Sequence, residues 1–441
     1  MSDQPSNSSP RWAIISLLIL VELAALTYLS RISQPSTTIL FASYAPAFAA
    51  YVALLAIARR GDTPLWLWFA TALLLRIPWI IAGTSLSDDV WRYIHDGRAQ
   101  LAGISPFLYA PSAPEAAAYA GPEVALINNP DLITIYPPFA QLAFRIAASL
   151  GATLLSWKLV LLVFDLGIGA ALIPLLRRKK LPLALVAAYL LHPLPIIEFA
   201  GNGHVDAIAI CTLMIALAFA EGRVVMSGAA FAASVAAKYL ALPLVPFFIR
   251  NLATGRRLVF LGAAAAAGIL FYLPFTDPLP LGSLGTFART FEFNGPVAGV
   301  LSTWITREGA RWFMGGSLLL LLGWLWWRKV EVVDVAFLWI AGVLLLSPIV
   351  HPWYVTWLIP FLAWRRDMWV LVWTGTVIAA YAVLPDWWSS GIWDLPGWAL
   401  LLEYLPVYIL LAAAAISYFR RRPDRGHSVR VGSGRDSSVR A

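Results

Sequence analysis

Long apolar runs recur along this chain and constrain its fold more than any other feature. Most are close to 20 residues long, and they lie near 11–29, 39–58, 64–83, 155–176, 181–199, 204–220, 257–275, 311–327, 332–350, 369–385 and 398–419. A transmembrane helix needs about 20 consecutive, mostly apolar residues. Only 13% of the residues are charged, roughly half the share of a soluble protein. The sequence therefore predicts an all-α, polytopic transmembrane helical bundle.

Clusters of Lys and Arg between the runs set the expected orientation, because such clusters favour the cytoplasmic side. They lie at 59–60, 177–180, 256–257, 328–329, 365–366 and 420–422. Placing all of them inside predicts about twelve crossings, including a short one at 353–364, with both termini cytoplasmic. The stretch 138–150 then stays on the outer side. The stretch 226–249, which Lys238 and Pro243 break, becomes a helical hairpin entered from the cytoplasm.

No soluble domain or internal repeat stands out between the runs. We expect one transmembrane domain over 1–420, in which 1–63 forms two extra N-terminal spans ahead of a core at 64–420. The remainder, 421–441, is expected to be a basic, disordered cytoplasmic tail. Together with Arg420, it has seven Arg against two Asp, which is +5 of the formal net charge of +8. This balance indicates a terminus beside anionic lipid and argues against a nucleic-acid surface.

The first long outer loop, roughly 84–137, carries a dense polar group beginning at Ser87-Asp88-Asp89. Apolar residues of this segment recur at helical spacing, namely Val90, Trp91, Ile94 and Leu101. The spacing predicts an amphipathic helix that lies on the membrane surface and begins at the two Asp residues. In one interpretation these residues only cap the helix and favour its positive end. In the other, a carboxylate here meets a lipid-borne substrate.

Further polar and aromatic groups lie at the expected outer ends of spans. They comprise Tyr136-Pro137-Pro138, Glu198 with Gly201-Asn202-Gly203-His204-Val205-Asp206, and His351-Pro352-Trp353-Tyr354. Ionisable residues near lipid are costly and by default mark a functional cavity. His204 and Asp206 alone lack the ligand number of a metal site. A divalent metal is therefore not indicated, and no cofactor is assigned.

Cations inside or beside the apolar runs form a last group. Arg76 and Lys238 lie within runs, and Arg289, Arg307 and Arg311 lie in or beside the second outer loop. A buried cation needs an acidic partner or an anionic ligand. We interpret these residues as candidate ligands of a lipid phosphate, or as side chains that extend to the membrane interface.

In their order along the chain, these elements resemble the GT-C superfamily of membrane glycosyltransferases. The chain is similar to bacterial polyprenyl-phosphate-mannose-dependent mannosyltransferases of the glycosyltransferase family 87-like type. The similarity spans roughly 64–420. It rests on residues 87–98, 106–111, 136–138, 201–206 and 351–354.

The resemblance implies a hexosyltransferase that moves a sugar, expected to be mannose, from a polyprenyl-phosphate donor to a lipid or glycan acceptor. It places the reaction on the outer face of a bacterial cell membrane. The family's general base, an Asp of the first outer loop, corresponds here to Asp88 or Asp89. Substrate contacts are expected from Arg92, His95, Asp96, Arg98, Tyr136, Asn202, His204, Asp206, Lys238, His351 and Tyr354. The expected partners are the donor, the acceptor and membrane lipids, without nucleic acid.

Two other classes of function fit a chain of this kind. A transporter or lipid-linked-sugar flippase would account for the broken stretch 226–249 and for Lys238 in an apolar run. Transporters usually pair such breaks in two internal repeats and bind their cargo at the midplane, whereas here the polar residues cluster on one side. A non-catalytic scaffold gives no reason for the Asp pair, His204 and His351 to share one face.

Overall fold

The computed structural model describes residues 9–61, 63–275 and 281–420, which are helical and contain no β-strand. The helices in chain order are α1 Ser9–Ser30, α2 Thr37–Ala58, α3 Leu65–Ile81, α4 Asp89–Leu101, α5 Pro138–Ser149, α6 Leu154–Arg178, α7 Ala187–Leu190, α8 Pro193–Pro195, α9 Asp206–Phe219, α10 Val224–Ala237, α11 Val245–Ile249, α12 Thr254–Tyr272, α13 Leu284–Thr290, α14 Pro296–Leu301, α15 Arg307–Trp327, α16 Val332–Leu346, α17 Pro352–Val355, α18 Met368–Thr376, α19 Leu384–Ser390 and α20 Gly397–Arg420. A π-helix occupies Ile196–Gly201, and 3₁₀ turns occupy Pro114–Ala118, Pro122–Leu126, Leu183–Val186, Tyr239–Leu244, Leu273–Phe275, Thr356–Ala363 and Val377–Val383. The predicted tail, 421–441, lies outside the described residues.

Six segments of the described chain are helices long and apolar enough to cross a membrane. They are Pro10–Ser30, Thr37–Ala58, Leu154–Arg178, Thr254–Phe275, Met368–Ser390 and Gly397–Ser417. Shorter apolar helices lie at Leu65–Ile81, Asp206–Phe219, Val224–Ala237, Tyr239–Ile249 and Val332–Leu346. The prediction of an all-α protein with several apolar, membrane-crossing helices is confirmed. The number of twelve crossings and the side on which each loop lies stay predictions.

A bent pair of helices stands where the sequence predicts a span at 181–199. Its halves, Leu183–Leu190 and Pro193–Gly201, are bent by 53° relative to each other. Pro193 cannot donate a backbone hydrogen bond, which favours a break at this point. Nδ1 of His192 instead accepts a hydrogen bond from the N–H of Leu194 at 3.1 Å. The crossing at 181–199 stays a prediction, and the bent pair is a seventh crossing only if it forms one span.

The central helices pack side by side, and α5 connects them to α4. Helix α6 packs on α9, α9 on α10, and α10 on α12, while α5 contacts α4, α6 and α10. Helices α1 and α2 pack on each other, and α1 also contacts α3. One apolar core runs through these elements, because buried side chains of α1 to α3 belong to the same cluster as those of α6, α9 and α16.

Helix α4 begins where the sequence predicts, but it is buried on more than its apolar face. Val90 and Ile94 pack into the core as expected. Asp96, on the face expected to be polar, is also buried, whereas Leu101 is 49% exposed. The reason is that the loop 102–137 covers the polar face and supplies its hydrogen-bond partners. The position of this helix at the membrane surface stays a prediction, and both of its faces are covered by protein.

The break predicted within 226–249 is present. Helix α10 ends at Ala237, and Lys238 has an extended backbone with φ −158° and ψ 127°. A 3₁₀ turn that contains Pro243 follows. Nε1 of Trp339 donates to the carbonyl of Leu240 at 2.8 Å. Irregular backbone at membrane depth is tolerated where protein covers it in this way. The return of this segment to the cytoplasmic side stays a prediction.

Candidate active site

Asp88 and Asp89 lie together at the N-terminal end of α4. Asp88 occupies the capping position, but its side chain makes no capping hydrogen bond. Instead, Nδ2 of Asn128 donates to Oδ1 of Asp88 at 2.6 Å and to Oδ1 of Asp89 at 2.9 Å. The next residue, Asn129, has a φ of 48°, a left-handed conformation that asparagine tolerates. A loop amide thus holds both carboxyl groups, so helix capping does not account for the pair.

Burial raises the pKa of both carboxyl groups. For Asp89 the charge of Asp88 adds to the effect of burial and raises the pKa to about 6, although Asn128 and the charge of Lys238 act in the opposite direction. For Asp88, burial raises the pKa and the hydrogen bond from Asn128 lowers it. The side chain of Asp89 is still 20% exposed. A reachable carboxyl group with a pKa near neutrality can act as a general base.

His204 lies directly behind Asp89 and is fully buried. Its Nδ1 is 3.7 Å from Oδ2 of Asp89, and its Nε2 is 3.4 Å from Oε2 of Glu198. The ring stacks on Trp353 with centroids 3.8 Å apart, and the backbone N–H donates to the carbonyl of Glu198 at 2.9 Å. Burial lowers the pKa of His204 well below its usual value, so the ring is neutral. The structure thus brings His204 to Asp89, but not into reach of solvent.

Glu198 extends from the π-helix, a feature that often occurs at functional sites. The hydroxyl of Tyr381 lies 2.7 and 2.8 Å from its two carboxyl oxygens. Asn202 donates from Nδ2 to Oε2 of Glu198 at 3.4 Å and accepts at Oδ1 from the N–H of Leu86 at 3.1 Å. Asn202 therefore ties Glu198 to the loop that precedes α4, and it is itself completely buried. Its predicted contact with substrate stays a prediction.

A cation pairs with a third carboxylate of the same cluster. Nζ of Lys238 is 2.5 Å from Oδ1 of Asp206 and 4.1 Å from the ring centroid of Tyr354. Nε1 of Trp357 donates to the same oxygen at 2.6 Å. Asp206 is almost fully buried, whereas the Lys238 side chain is 30% exposed. The charge of Lys238 also acts on the Asp89 carboxyl group. Lys238 is therefore a cation that a ligand can reach, close to the candidate base.

A stack of four rings forms one wall of the site, in the order His204, Trp353, His351 and Phe293. The centroids of Trp353 and His351 are 4.2 Å apart with the ring planes at 3°, and those of Phe293 and His351 are 4.8 Å apart. The N–H of Phe293 donates to the carbonyl of Pro348 at 2.9 Å. His351 thus lies inside the wall, and the stack couples the second outer loop to His204.

Four of the predicted substrate residues lie further along α4, namely Arg92, His95, Asp96 and Arg98. Nε of Arg92 is 3.2 Å from Oδ1 of Asp96, and Nε of Arg98 is 3.0 Å from Oε1 of Glu123. The guanidinium of Arg92 also donates to the carbonyl of Leu132. These contacts hold the loop 102–137 against α4. The structure does not bring the four residues to Asp89, so their contact with substrate stays a prediction.

Tyr136 does join the carboxyl cluster. Its ring meets that of Tyr93 edge-on at 4.9 Å. Burial raises its pKa well above the usual value, and the neighbouring charge of Asp89 adds to the effect. The Tyr136 hydroxyl is therefore a neutral donor beside the candidate base. Tyr354 completes this side of the site through its contact with Lys238.

Arg76 lies away from this cluster and donates four hydrogen bonds. Nε and Nη2 donate to the two carboxyl oxygens of Asp165 at 2.6 and 3.0 Å. Nη1 donates to the carbonyls of Ala72 and Leu190 at 3.1 and 2.8 Å. Both side chains are buried. The expected acidic partner is thus Asp165, and burial keeps Arg76 out of reach of a lipid phosphate.

The arginines of the second outer loop are also outside the cluster. Nη2 of Arg311 is 2.8 Å from Oε1 of Glu292, and Nε of Arg307 is 3.7 Å from Oε2 of the same residue. Arg289 is exposed. Of the five cations that the sequence singles out, Lys238 is the one that lies in the site.

Three site residues escape sequence reasoning. Asn128 belongs to an Asn-Asn-Pro stretch whose pattern predicts only a stiff loop. Tyr381 and Trp357 lie inside apolar runs, where nothing in the pattern separates them from other aromatic residues. The one available signal is that buried Tyr and Trp usually find a partner for their polar group. Here those partners are Glu198 and Asp206.

The chemical groups of the cluster are a carboxyl pair, a neutral imidazole, a third carboxylate and an accessible ammonium. This set can accept a proton from a hydroxyl group and bind an anion. Within the described ranges 9–61, 63–275 and 281–420, no three His, Cys, Asp or Glu side chains are grouped so that they could hold a metal ion.

A protein-family model described as alpha-(1->6)-mannopyranosyltransferase, N-terminal domain, matches residues 16–254. The matched part is more than half of the 441 residues and contains the Asp pair, Asn128, His204 and Lys238. No curated protein matches the chain. The family match confirms the resemblance to membrane mannosyltransferases that the motifs indicate. The chain therefore belongs to the MptA/B family of alpha-(1->6)-mannopyranosyltransferases.

Proposed function

We propose that this protein transfers mannose from a polyprenyl-phosphate donor to a lipid or glycan acceptor, forming the α-(1→6) linkage named in the family description. The observation that carries the proposal is the pairing, within one cluster, of a partly exposed carboxyl group and a partly exposed ammonium. These are Asp89, 20% exposed, and Lys238, 30% exposed. One can take a proton and the other can bind phosphate.

Asp89 is the better candidate for the general base of the two acidic residues. Its pKa is raised further than burial alone would raise it, because the charge of Asp88 opposes its ionisation. The acceptor hydroxyl gives its proton to Asp89 as its oxygen attacks C1 of the sugar. The bond between C1 and the phosphate oxygen breaks, and its electron pair leaves with the phosphate. A single displacement of this kind parallels the inverting glycosidases, where a carboxylate activates the attacking oxygen.

Lys238 is the candidate ligand of the donor phosphate. Its present partner, Asp206, also accepts from Trp357, so Asp206 keeps a hydrogen bond if the ammonium turns toward a phosphate. A cation at the leaving group stabilises the negative charge that develops as the bond breaks. The break between α10 and the following 3₁₀ turn places Lys238 among apolar helices. This position suits a phosphate that is attached to a lipid chain.

We further propose that the reaction takes place on the outer face of a cell membrane and that both termini are cytoplasmic. The support is the distribution of basic clusters, which favour the cytoplasmic side. The loops that carry Asp89, His204 and His351 then lie on the opposite side. Cysteine scanning with an impermeant thiol reagent tests this arrangement, since a cysteine placed at Ala113 should be labelled from outside and one at Lys329 should not.

The decisive experiment measures transfer from radiolabelled polyprenyl-phosphate-mannose in proteoliposomes that contain the purified full chain. We expect Asp89→Asn to abolish the labelled product. Asp131→Asn is the matched control, because Asp131 lies in the same loop, is exposed and bonds to Ser112. The control should keep the wild-type rate. Full activity in both Asp88→Asn and Asp89→Asn would contradict the assigned base.

A flippase is the second candidate, and the broken helices favour it, because transporters bind their cargo at such breaks. The described chain has a bend of 53° ahead of His204 and an extended residue at Lys238. The same proteoliposomes separate the two functions. A flippase moves fluorescent polyprenyl-phosphate-mannose across the bilayer without forming a glycosidic bond, and a glycosyltransferase forms the bond.

A further inference from the structure

Behind Asp89 lies a line of buried groups that the proposed reaction leaves without a role. Oδ2 of Asp89 is 3.7 Å from Nδ1 of His204, and Nε2 of His204 is 3.4 Å from Oε2 of Glu198. The Tyr381 hydroxyl closes the line at 2.7 Å from Glu198. His204 and Glu198 are fully buried, and Tyr381 is nearly so. Of these four residues, only Asp89 is within reach of substrate.

The ring nitrogens of His204 have no hydrogen-bond partner at ordinary distance, although both are buried. Each faces one carboxyl group, at 3.7 Å for Asp89 and 3.4 Å for Glu198, without a hydrogen bond between them. Such contacts in a site without substrate are often long and tighten in the reactive complex. The position of the proton on an imidazole is set by the group that its other nitrogen meets. The protonation of Glu198 therefore decides what His204 presents to Asp89.

Glu198 has only neutral hydrogen-bonding neighbours. Tyr381 and Asn202 supply its hydrogen bonds, and the nearby charge of Asp206 is negative. Within the described residues, no Lys or Arg lies within ion-pair distance of it. An ionised carboxylate that is fully buried without a cation is costly, and such a group is stable as the neutral acid. A neutral Glu198 can donate its proton to Nε2 of His204.

We propose that Glu198 and His204 are positioning residues for Asp89. Glu198, as the carboxylic acid, donates to Nε2 of His204, and the Nδ1–H of His204 donates to Oδ2 of Asp89. Asn128 already holds the other oxygen, Oδ1. The line thus fixes the carboxylate in its ionised form and directs its free lone pair toward the acceptor hydroxyl. This role rests on the proposed function, because it gives Asp89 the work of a base.

Several other charges face the same groups and set the sign of the test. Asp88 and Asp206 oppose the ionisation of Asp89, and Lys238 favours it. His351 and Lys238 both oppose a positive charge on His204. Removing the Nδ1–H removes one stabilising contact from ionised Asp89 and leaves these charges in place. The pKa of Asp89 must then rise, so the acid limb of the rate profile moves to higher pH.

The test compares pH–rate profiles of the full chain in lipid nanodiscs with polyprenyl-phosphate-mannose as donor. His204→Phe keeps a ring to stack on Trp353 and removes the donor. We expect its acid limb to move upward by about one pH unit, the size of a lost hydrogen bond to a charged group. KM should stay within about twofold, because His204 is out of reach of substrate. His204→Asn places an amide N–H near the Nδ1 position and should restore most of the shift.

Variants of Glu198 test whether this residue acts as a neutral acid that donates a hydrogen bond or as an ionised carboxylate. Glu198→Gln can still donate to His204, so its profile should stay close to that of the wild type. Glu198→Met cannot donate, and it should shift the acid limb as His204→Phe does. Glu22→Gln is the matched control, since Glu22 is an equally buried carboxyl group in α1, and it should leave the profile unchanged. Equal damage by Glu198→Gln and Glu198→Met would overturn the proposal.

A second readout does not depend on turnover. A carbodiimide modifies protonated carboxyl groups, and mass spectrometry of the Asp89 peptide gives the pH at which labelling is half-maximal. That midpoint should rise in His204→Phe and stay unchanged in Glu198→Gln. An unchanged midpoint in His204→Phe would overturn the proposed role of Glu198 and His204, even if the protein transfers sugar. A raised midpoint in a protein that transfers no sugar would uphold the line and defeat the proposed function.

Discussion

Two buried charged regions of this protein differ in how completely their charges are matched. Arg76 and Asp165 form a closed pair, in which the guanidinium also donates to two carbonyls and Tyr189 donates to the carboxylate at 2.6 Å. The cluster at the start of α4 is not closed. Asp88, Asp89 and Asp206 lie near one cation, Lys238, and three of these four residues are partly exposed.

The difference indicates that the charges of the first region serve the fold, whereas those of the second region are available for chemistry. A fully buried ion pair favours one arrangement of helices and is out of reach of a ligand. A cluster with excess negative charge keeps a carboxyl group near neutrality in pKa and leaves a cation free to change partners. Mutations in the first region should therefore act on stability, and mutations in the second should act on catalysis.

The largest expected effect is on transfer by Asp89→Asn. We expect the rate to fall by roughly 10²–10⁴-fold, the contribution of general base catalysis. Thermal unfolding should not shift downward, because an amide in this position removes a charge that its neighbours oppose. The transfer rate and the melting temperature, measured on the same preparation, check both halves. If the Asp89→Asn protein is strongly destabilised, Asp89 has a structural role like that of Arg76 and Asp165.

Next in size is the loss of stability in Arg76→Met. Breaking a buried pair leaves an uncompensated charge and costs about 3–5 kcal/mol. The double variant Arg76→Met, Asp165→Leu should recover most of this loss, because both charges are then absent. Unfolding followed by tryptophan fluorescence in detergent measures the change. Failure of the double variant to recover would show that Arg76 does more than match Asp165.

Lys238→Met should weaken donor binding and cost less stability than Arg76→Met, because Asp206 keeps its hydrogen bond from Trp357. Removing a hydrogen bond to a charged group costs about 1.5–3 kcal/mol, so we expect the KM for the donor to rise about ten- to hundredfold. Lys238→Arg should retain part of the affinity. The control is Arg289→Met, which removes an exposed cation outside the cluster and should change KM by less than about twofold. Equal effects of the two Met variants would contradict the assignment of the phosphate site.

The pH dependence should expose the same contrast. Transfer should fall as the pH drops through about 6, because Asp89 must be ionised to accept a proton and its pKa is about 6. Stability should move the other way. Since the folded pKa of Asp89 exceeds its unfolded value, its stabilising contribution is complete below the unfolded pKa and is lost as the pH rises through about 6. Transfer rates and melting temperatures, measured at a series of pH values between about 5 and 8, test both trends.

The smallest effect is expected from Arg98→Ala. The Arg98 side chain is 33% exposed and pairs with Glu123 in the loop that covers α4. Its partner Glu123 is buried, so we expect a loss of about 1 kcal/mol of stability and little change in KM. A large rise in KM would return Arg98 to the substrate-binding residues and extend the active site along α4.

The motifs in the sequence were sufficient to predict which loops carry the site, because ionisable residues beside apolar runs are costly unless they have a use. Asp89, His204, Asp206, Lys238 and Tyr354 do lie in one cluster. The pattern was not sufficient to tell those residues from their neighbours on α4. Arg92 and Arg98 have the same residue type and spacing that a phosphate site would have, yet their contacts are with the covering loop.

The sequence by itself determined that this chain is helical and apolar over most of its length, because roughly 20 apolar residues in a row fit a bilayer and little else. It also determined the order of the motifs that mark the family. Only the tertiary structure decided which polar groups meet. Asn128, Tyr381 and Glu198 reach the site through contacts across 39 and 183 positions of the chain. No local pattern encodes such distances, because they depend on how the helices pack.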